Sequence, residues 1–180
     1  VETGLSSDPL MNWRLEQLDN YILVSNSDAH SAPKLGREAN LFDTEFSYDG
    51  IYRALKDKND QGLVATIEFF PEEGKYHFDG HRDCQIRLHP TETIKNNGLC
   101  PECGKPVTVE ELADRPEGAK SPRWRPYKSA IPLPEIIAEA KKCGVNSKAV
   151  QEFYQQMLAS IGNEFYILMD APIEEIRQKS

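Results

Sequence analysis

Two side chains that bind divalent metals stand two residues apart in Ser25-Asn26-Ser27-Asp28-Ala29-His30. The apolar run Tyr21-Ile22-Leu23-Val24 precedes them, and Lys34-Leu35-Gly36-Arg37-Glu38 follows. An apolar, β-branched run that stops abruptly at polar residues reads as a buried strand delivering Asp28 and His30 to the loop at its C-terminal end. In α/β barrels that end of the strands carries the chemistry. Residues i and i+2 of an extended chain lie on one side, so both groups can face one metal ion or one phosphate. The same tripeptide also occurs in turns, where Asp caps a backbone amide and His is only solvated.

A second constellation is His81-X2-Cys84, then fifteen residues, then Cys100-X2-Cys103. Two ligand pairs of this spacing suit a tetrahedral structural Zn2+, because each two-residue loop brings both donors to one ion from a tight knuckle. Pro101 stiffens the second knuckle and Gly104 permits the turn beneath the sulfurs. The fourth ligand is open at this point: Asp79, His77 or His89 could replace His81. Four protein ligands leave no open position, so such a site holds structure or touches a partner and does not catalyse. Cys143, before the helix-ending Gly144, reads as a small buried hydrophobe.

A third stretch, Lys120 to Lys128, carries Lys120, Arg123, Arg125 and Lys128 with Trp124 and Tyr127 and no acid. Cations that pair with phosphates, interleaved with rings on which bases stack, suit a DNA contact. The alternative is a solvated linker whose aromatics pin it to its neighbour.

The elements that must position these groups follow from pattern. Leu10, Trp13, Leu15 and Leu18 are available for packing after a turn at Ser7-Asp8-Pro9. Ser47 caps a helix whose Tyr48, Ile51, Tyr52 and Leu55 form a core stripe. Leu63–Phe70 reads as a strand, Pro71–Gly74 as a turn and Lys75–Phe78 as its return. Pro134 opens a helix with Ile136, Ile137 and Ala140 on one face, and Ser147 caps another carrying Val150, Phe153, Tyr154, Met157 and Ile161, stopped by Gly162. Glu164–Met169 reads as a strand and Pro172 starts a last short helix. The charged run Lys56–Gly62 and the Pro-rich connector Arg115–Pro126 read as boundaries. They divide the chain into residues 1–60, 61–118 and 119–180.

With 180 residues and a net charge of −8, the chain is of a size for one compact core or a few small ones, and a uniformly basic coat is excluded while a local basic patch is not. No apolar run reaches the roughly 20 residues of a membrane span, and no signal peptide is visible. Four cysteines with one Cys-X-X-Cys point to an intracellular metal or thiol site, hence a cytoplasmic location.

Three stretches resemble a known family. Glu2–Pro9, Ser25–His30 and Lys34–Glu38 resemble the last part of a polymerase-and-histidinol-phosphatase (PHP) domain. Ile67–His77, Asp79-Gly80-His81-Arg82 and the Cys-X-X-Cys resemble the zinc-binding segment fused to that domain in endonuclease Q. Glu110–Gly118 and Ile131–Ile137 continue the likeness into a helical C-terminal region. The fold implied is α/β: the C-terminal part of a distorted PHP-type barrel, a zinc-ribbon-like β segment, and a small helical α+β end.

The resemblance implies a repair endonuclease that cuts 5′ to deaminated bases (hypoxanthine, uracil, xanthine) or abasic sites in DNA. It implies divalent catalytic metals (Mg2+, Mn2+ or Zn2+), with Asp28 and His30 as the last ligand motif of the cluster. The family's earlier His-X-His motif has no counterpart here, so a preceding PHP portion is expected to complete the cluster. The run from Thr108 into Val109 is shorter than the family's, which suggests a missing loop. The competing classes are a zinc-ribbon binding module without activity and a small-molecule PHP phosphoesterase.

Overall fold

At the amino end the backbone pairs before any strand of length appears. Thr3 N–H donates to the Val24 carbonyl at 3.0 Å and Val24 N–H to the Val1 carbonyl at 2.9 Å, so Glu2 and Val24 form a single parallel bridge. Ile22 and Leu23 are buried while Tyr21 is exposed. The expected strand at Tyr21–Val24 is therefore an extended segment with one bridge. The computed structural model describes residues 1–57, 61–73, 78–109, 115–116 and 118–179. They divide into two compact units, Val1–Ser129 and Ala130–Ser180.

In the first unit a short helix α1 (Pro9–Asn12) is capped by Asp8, whose carboxylate accepts from Met11 N–H at 2.8 Å. Strand β1 (Ala39–Phe42) leads to helix α2 (Tyr48–Lys56), where Ser47 Oγ accepts from Gly50 N–H at 3.1 Å as the sequence predicts. The buried face of α2 is Gly50 and Ala54, with Ile51 and Leu55 half-buried. Tyr48 and Tyr52, expected in the core stripe, are exposed and stack on each other at 5.9 Å. Small residues win that face because the chain approaches closely. A Cβ on Gly50 would stand 2.3 Å from the Glu45 carbonyl oxygen.

Strand β2 (Leu63–Glu68) is central. It pairs antiparallel with β1, Asn40 opposite Thr66, and parallel with β5 (Tyr127–Ser129), Thr66 opposite Tyr127. The return strand expected at Lys75–Phe78 lies outside the described residues except for Phe78. The boundary expected at Lys56–Gly62 lies partly outside them too. A second, two-stranded sheet joins β3 (Asp79–His81) to β4 (Ile86–Leu88), and helix α3 (Pro90–Lys95) follows.

The second unit packs α4 (Leu133–Lys141), α5 (Lys148–Ser160), α6 (Glu164–Met169) and α7 (Ile173–Lys179) around Leu133, Ile137, Ala138, Val150, Met157 and Ile167. The Ser147 cap and the α5 stripe fall as expected. Glu164–Met169, expected as a strand, is helical. Asn163 Oδ1 accepts from Tyr166 N–H at 3.0 Å, a cap that decides an apolar run too short for its period to decide. Glu164 then ties the unit together, accepting from Leu133 N–H at 2.7 Å and from the Tyr154 hydroxyl at 2.8 Å. Cys143 is exposed rather than buried, because Lys142 takes the left-handed cap position that turns the chain outward.

Among the described residues the architecture is mixed α/β: a three-stranded sheet, a two-stranded sheet and seven helices. No described helix is long and apolar enough to cross a membrane. Gly50→Ala is expected to destabilise the chain by about 1–3 kcal/mol, through overpacking against Glu45. The exposed neighbour change Asp49→Ala costs less, and urea midpoints of the two variants check the difference.

Candidate metal centre and nucleic-acid interface

The ribbon ligands meet. His81, Cys84, Cys100 and Cys103 offer ligand atoms that all lie within 4.8 Å of one another, and Cys103 Sγ stands 3.4 Å from His81 Nδ1. Sequence order explains the convergence. His81 ends β3 and is paired with Ile86 of β4, while Cys84 closes the tight 3-10 turn Arg82–Cys84 between them. That turn exits through Gln85 at φ 55°, and the second knuckle exits through Gly104 at φ 70°. Each Cys that ends a knuckle is thus followed by a left-handed residue, which swings the chain away from the sulfurs.

The second knuckle is closed by Gly104 N–H on the Cys100 carbonyl and Cys100 N–H on the Lys105 carbonyl, both 2.8 Å. Leu88, Cys100 and Val107 form the small core under the site. Gly80 is required there: a Cβ would meet the Ile86 carbonyl oxygen at 2.3 Å.

The thiols divide their protons unevenly. Hydrogen bonding with Cys103 and burial push the Cys84 thiol up to about 12. Burial also opposes ionisation of Cys100, yet the backbone N–H groups of Cys103 and Glu102 hold its thiol below the ordinary value. Amides aimed at sulfur stabilise a thiolate before any metal arrives. Three sulfurs and one imidazole nitrogen suit a borderline-soft divalent ion.

Two of the three alternatives for the fourth ligand stand apart from the cluster. His89 caps α3, its Nδ1 accepting from Thr91 N–H at 3.4 Å, with Glu92 completing the capping box. Asp79 is buried opposite Leu88 and stands outside the cluster. His77 lies outside the described residues.

Asp28 and His30 share one exposed loop. Asp28 sits at φ 43°, in the left-handed region that Asp tolerates better than most residues. His30 Nδ1 is 2.9 Å from the Asp28 carbonyl oxygen and 3.8 Å from its carboxylate. With Nδ1–H donating to that carbonyl, Nε2 carries the free lone pair, the arrangement that prepares an imidazole for a metal. The two side chains are 69% and 87% exposed. The only group of three or more potential ligands among the described residues is the His81 cluster, so this loop brings two ligands and no third.

Sequence reasoning missed the buried carboxylates in this unit. Glu68 ends β2 with no exposure. Its Oε2 accepts from Thr3 Oγ1 at 2.8 Å and its Oε1 from Thr66 Oγ1. Burial raises its pKa, and the hydroxyls of Thr66 and Thr3 pull it partly back. Glu38 is 3% exposed. Burial, then repulsion from Glu68, push its carboxyl up to about 7, against one long bond from Phe69 N–H at 3.5 Å. An acid closing β2, a strand otherwise apolar but for Thr66, was the one available signal.

With this geometry in place, similarity can be weighed. The chain is 32% identical over 98% of its length to the lesion-specific endonuclease PfuEndoQ from Pyrococcus furiosus, with a TM-score of 0.82. A structure of endonuclease Q with a 27-mer duplex bearing an abasic lesion at the active site matches at 28% identity and a TM-score of 0.77, again over 98% of this chain. Over nearly its whole length this chain is similar to solved endonuclease Q structures. Residues 132–180 match the family model described as the MJ0043 C-terminal domain, in keeping with a C-terminal portion of endonuclease Q.

Two curated relatives align over 98% of the chain: uncharacterized protein MJ0043 of Methanocaldococcus jannaschii at 33% identity and uncharacterized protein YqxK of Bacillus subtilis at 30%. The chain spans 24% and 43% of those proteins, and 46% and 47% of the two solved endonuclease Q chains.

The Lys120–Lys128 connector is pinned by its rings. Trp124 and Tyr127 pack edge-on against buried Trp13, with centroids 6.3 and 6.1 Å away. Arg125 Nε donates to the Leu63 carbonyl at 2.9 Å, and an Arg123 terminal nitrogen to the Asn20 carbonyl at 3.1 Å. Lys120 Nζ lies 4.0 Å above the Trp124 ring. Lys120 and Lys128 remain exposed, and Trp124 is 41% exposed.

Two outcomes are expected. Co2+ bound to the ribbon gives the visible bands of a tetrahedral thiolate site, and Cys100→Ser abolishes them; absorption spectroscopy checks this. Glu38 holds its proton more tightly folded than unfolded, so its contribution to stability is full below about 4.5 and is lost as pH rises through about 7. Glu38→Gln removes that loss, so its urea midpoint exceeds the parent's by more at about pH 8 than at about pH 5.

Proposed function

We propose that this chain is the C-terminal part of a metal-dependent repair endonuclease that cuts DNA 5′ to deaminated bases or abasic sites. The observation that carries the proposal is the likeness over nearly the whole chain to a lesion-specific endonuclease, at a TM-score of 0.82 and 32% identity. The related endonuclease Q with an abasic-lesion duplex supports DNA as the partner class. In this reading residues 1–60 are the end of a PHP-type barrel, 61–118 the zinc-ribbon-like segment, and 119–180 the basic connector and helical end.

Asp28 and His30 would help to hold divalent ions (Mg2+, Mn2+ or Zn2+), which would supply Lewis acidity for phosphodiester hydrolysis. Asp28 contributes a hard anionic oxygen. His30 contributes Nε2, its ring held by the Asp28 carbonyl. The remaining ligands come from a preceding PHP portion. His81, Cys84, Cys100 and Cys103 hold a structural Zn2+ whose donor set is closed to substrate. Lys120 and Lys128, with Arg123 and Arg125 behind them, provide phosphate contacts, and Trp124 and Tyr127 provide the rings. A flipped lesion enters more easily where pairing is already weak.

The zinc-module reading is favoured by one observation: Asp28 and His30 stand exposed with two ligands only. Nicking separates the readings. A labelled duplex carrying one deoxyinosine is incubated with Mg2+ or Mn2+ and a form extended at its N-terminus by the family's PHP portion. Cutting 5′ to the lesion is expected, with Asp28→Asn lowering the rate by about 100-fold or more. An intact duplex with the extended form removes the endonuclease reading.

A further inference from the structure

The metal-binding side chains of the Asp28/His30 loop have no packing of their own, so their placement is inherited from the backbone that leads into them. One side chain holds that backbone on both its N–H and its carbonyl. Asn40, on β1, accepts the Ser25 N–H on Oδ1 at 2.9 Å and donates from Nδ2 to the Ser25 carbonyl at 2.6 Å. Nδ2 also lies 3.3 Å from Asn26 Oδ1. A side-chain amide carries donor and acceptor in one plane, as a peptide group does. Asn40 therefore gives Ser25 the two-way pairing that a neighbouring strand would otherwise supply.

The other side of Ser25 is also anchored. Its hydroxyl donates to the Ile67 carbonyl on β2 at 2.8 Å, and Ser25 has no exposure. Two residues on, Arg37 Nε donates to the Ser27 carbonyl at 2.8 Å. The chain is thus held at Ser25 and Ser27 immediately before Asp28 turns into the left-handed region. A left-handed Asp is unfavourable by roughly 1 kcal/mol or more and persists only where its flanks are fixed.

We propose that Asn40 is a positioning residue of the Asp28/His30 metal pair, setting the direction from which the Asp28 carboxylate and His30 Nε2 approach an ion. The inference rests on the reading that this loop holds a divalent metal. Asn40 touches neither ion nor substrate. Its role parallels the outer hydrogen-bond partners of metal ligands, whose loss lowers metal affinity by about 10- to 100-fold.

The test follows the His30 ring resonances of the Zn2+-loaded, N-terminally extended form by NMR while Mn2+, whose unpaired electrons broaden nearby signals, is added. The parent, Asn40→Ala and Asn40→Asp are compared. Asp keeps an acceptor for Ser25 N–H and lacks the donor for the Ser25 carbonyl. The expected result is broadening of His30 in the parent, a half-broadening concentration about tenfold higher in Asn40→Ala, and an intermediate value in Asn40→Asp. Spectra of the ribbon residues stay unchanged in all three.

A purely structural role would lower the thermal midpoint and leave the half-broadening concentration where it was; that result overturns the inference and leaves the metal reading standing. A parent whose His30 signals ignore Mn2+ overturns both.

Discussion

The first unit depends on how one buried carboxylate is satisfied. Glu68 has no exposure, and a carboxylate out of water is expensive unless hydrogen bonds replace its hydration. The hydroxyls that do so come from Thr3 in the N-terminal segment and Thr66 in the same strand, with Ser25 beside them at the mouth of the loop. Meeting that requirement brings residues 1–3, the end of the Tyr21–Val24 segment and β2 to one point. The single Glu2–Val24 bridge is too little backbone pairing to do so alone. Glu38, a few residues before Asn40, adds a second acid that burial and Glu68 keep protonated well above the carboxylate range.

The two candidate metal centres are built on opposite principles. The ribbon makes its own geometry: two knuckles, each leaving through a left-handed residue, carry donors that already stand within 4.8 Å of one another. Its small core of Leu88, Cys100 and Val107 is modest, which fits a segment whose folding energy comes largely from an ion. The Asp28/His30 loop has no core at all. Its two candidate ligands are exposed, and hydrogen bonds hold the backbone that leads into them. A closed site suits structure and an open one suits chemistry.

Much of this was legible in the residues. The Cys and His spacing picked out four residues that the fold brings together as a possible metal site, because two-residue loops constrain donors locally, and the Ser147 and Ser47 caps located two helices for the same reason. The errors lie where non-local contacts decide. Tyr48 and Tyr52 keep helical spacing with Ile51 and Leu55, yet the close approach at Gly50 gives the buried face to small residues. Glu164–Met169 carries apolar residues in a row and becomes a helix through the Asn163 cap. Cys143 is turned outward by a left-handed lysine. Asn40 was invisible in advance, because its partner Ser25 lies 15 residues away, and Glu68 offered only its place at the end of β2, with its partner Thr3 65 residues away. In Lys120–Lys128 the rings pack on Trp13, as the linker reading expects, while Lys120 and Lys128 stay exposed.

The central claim is that this chain carries two metal sites of different kinds, one closed and one completed by other residues. Anomalous diffraction from crystals of the N-terminally extended form, grown with Zn2+ and Mn2+ and recorded at both absorption edges, tests it most directly. The account predicts a zinc peak among His81, Cys84, Cys100 and Cys103 and separate metal peaks bonded to Asp28 and His30. A ribbon peak with no metal density at Asp28 or His30 would contradict it.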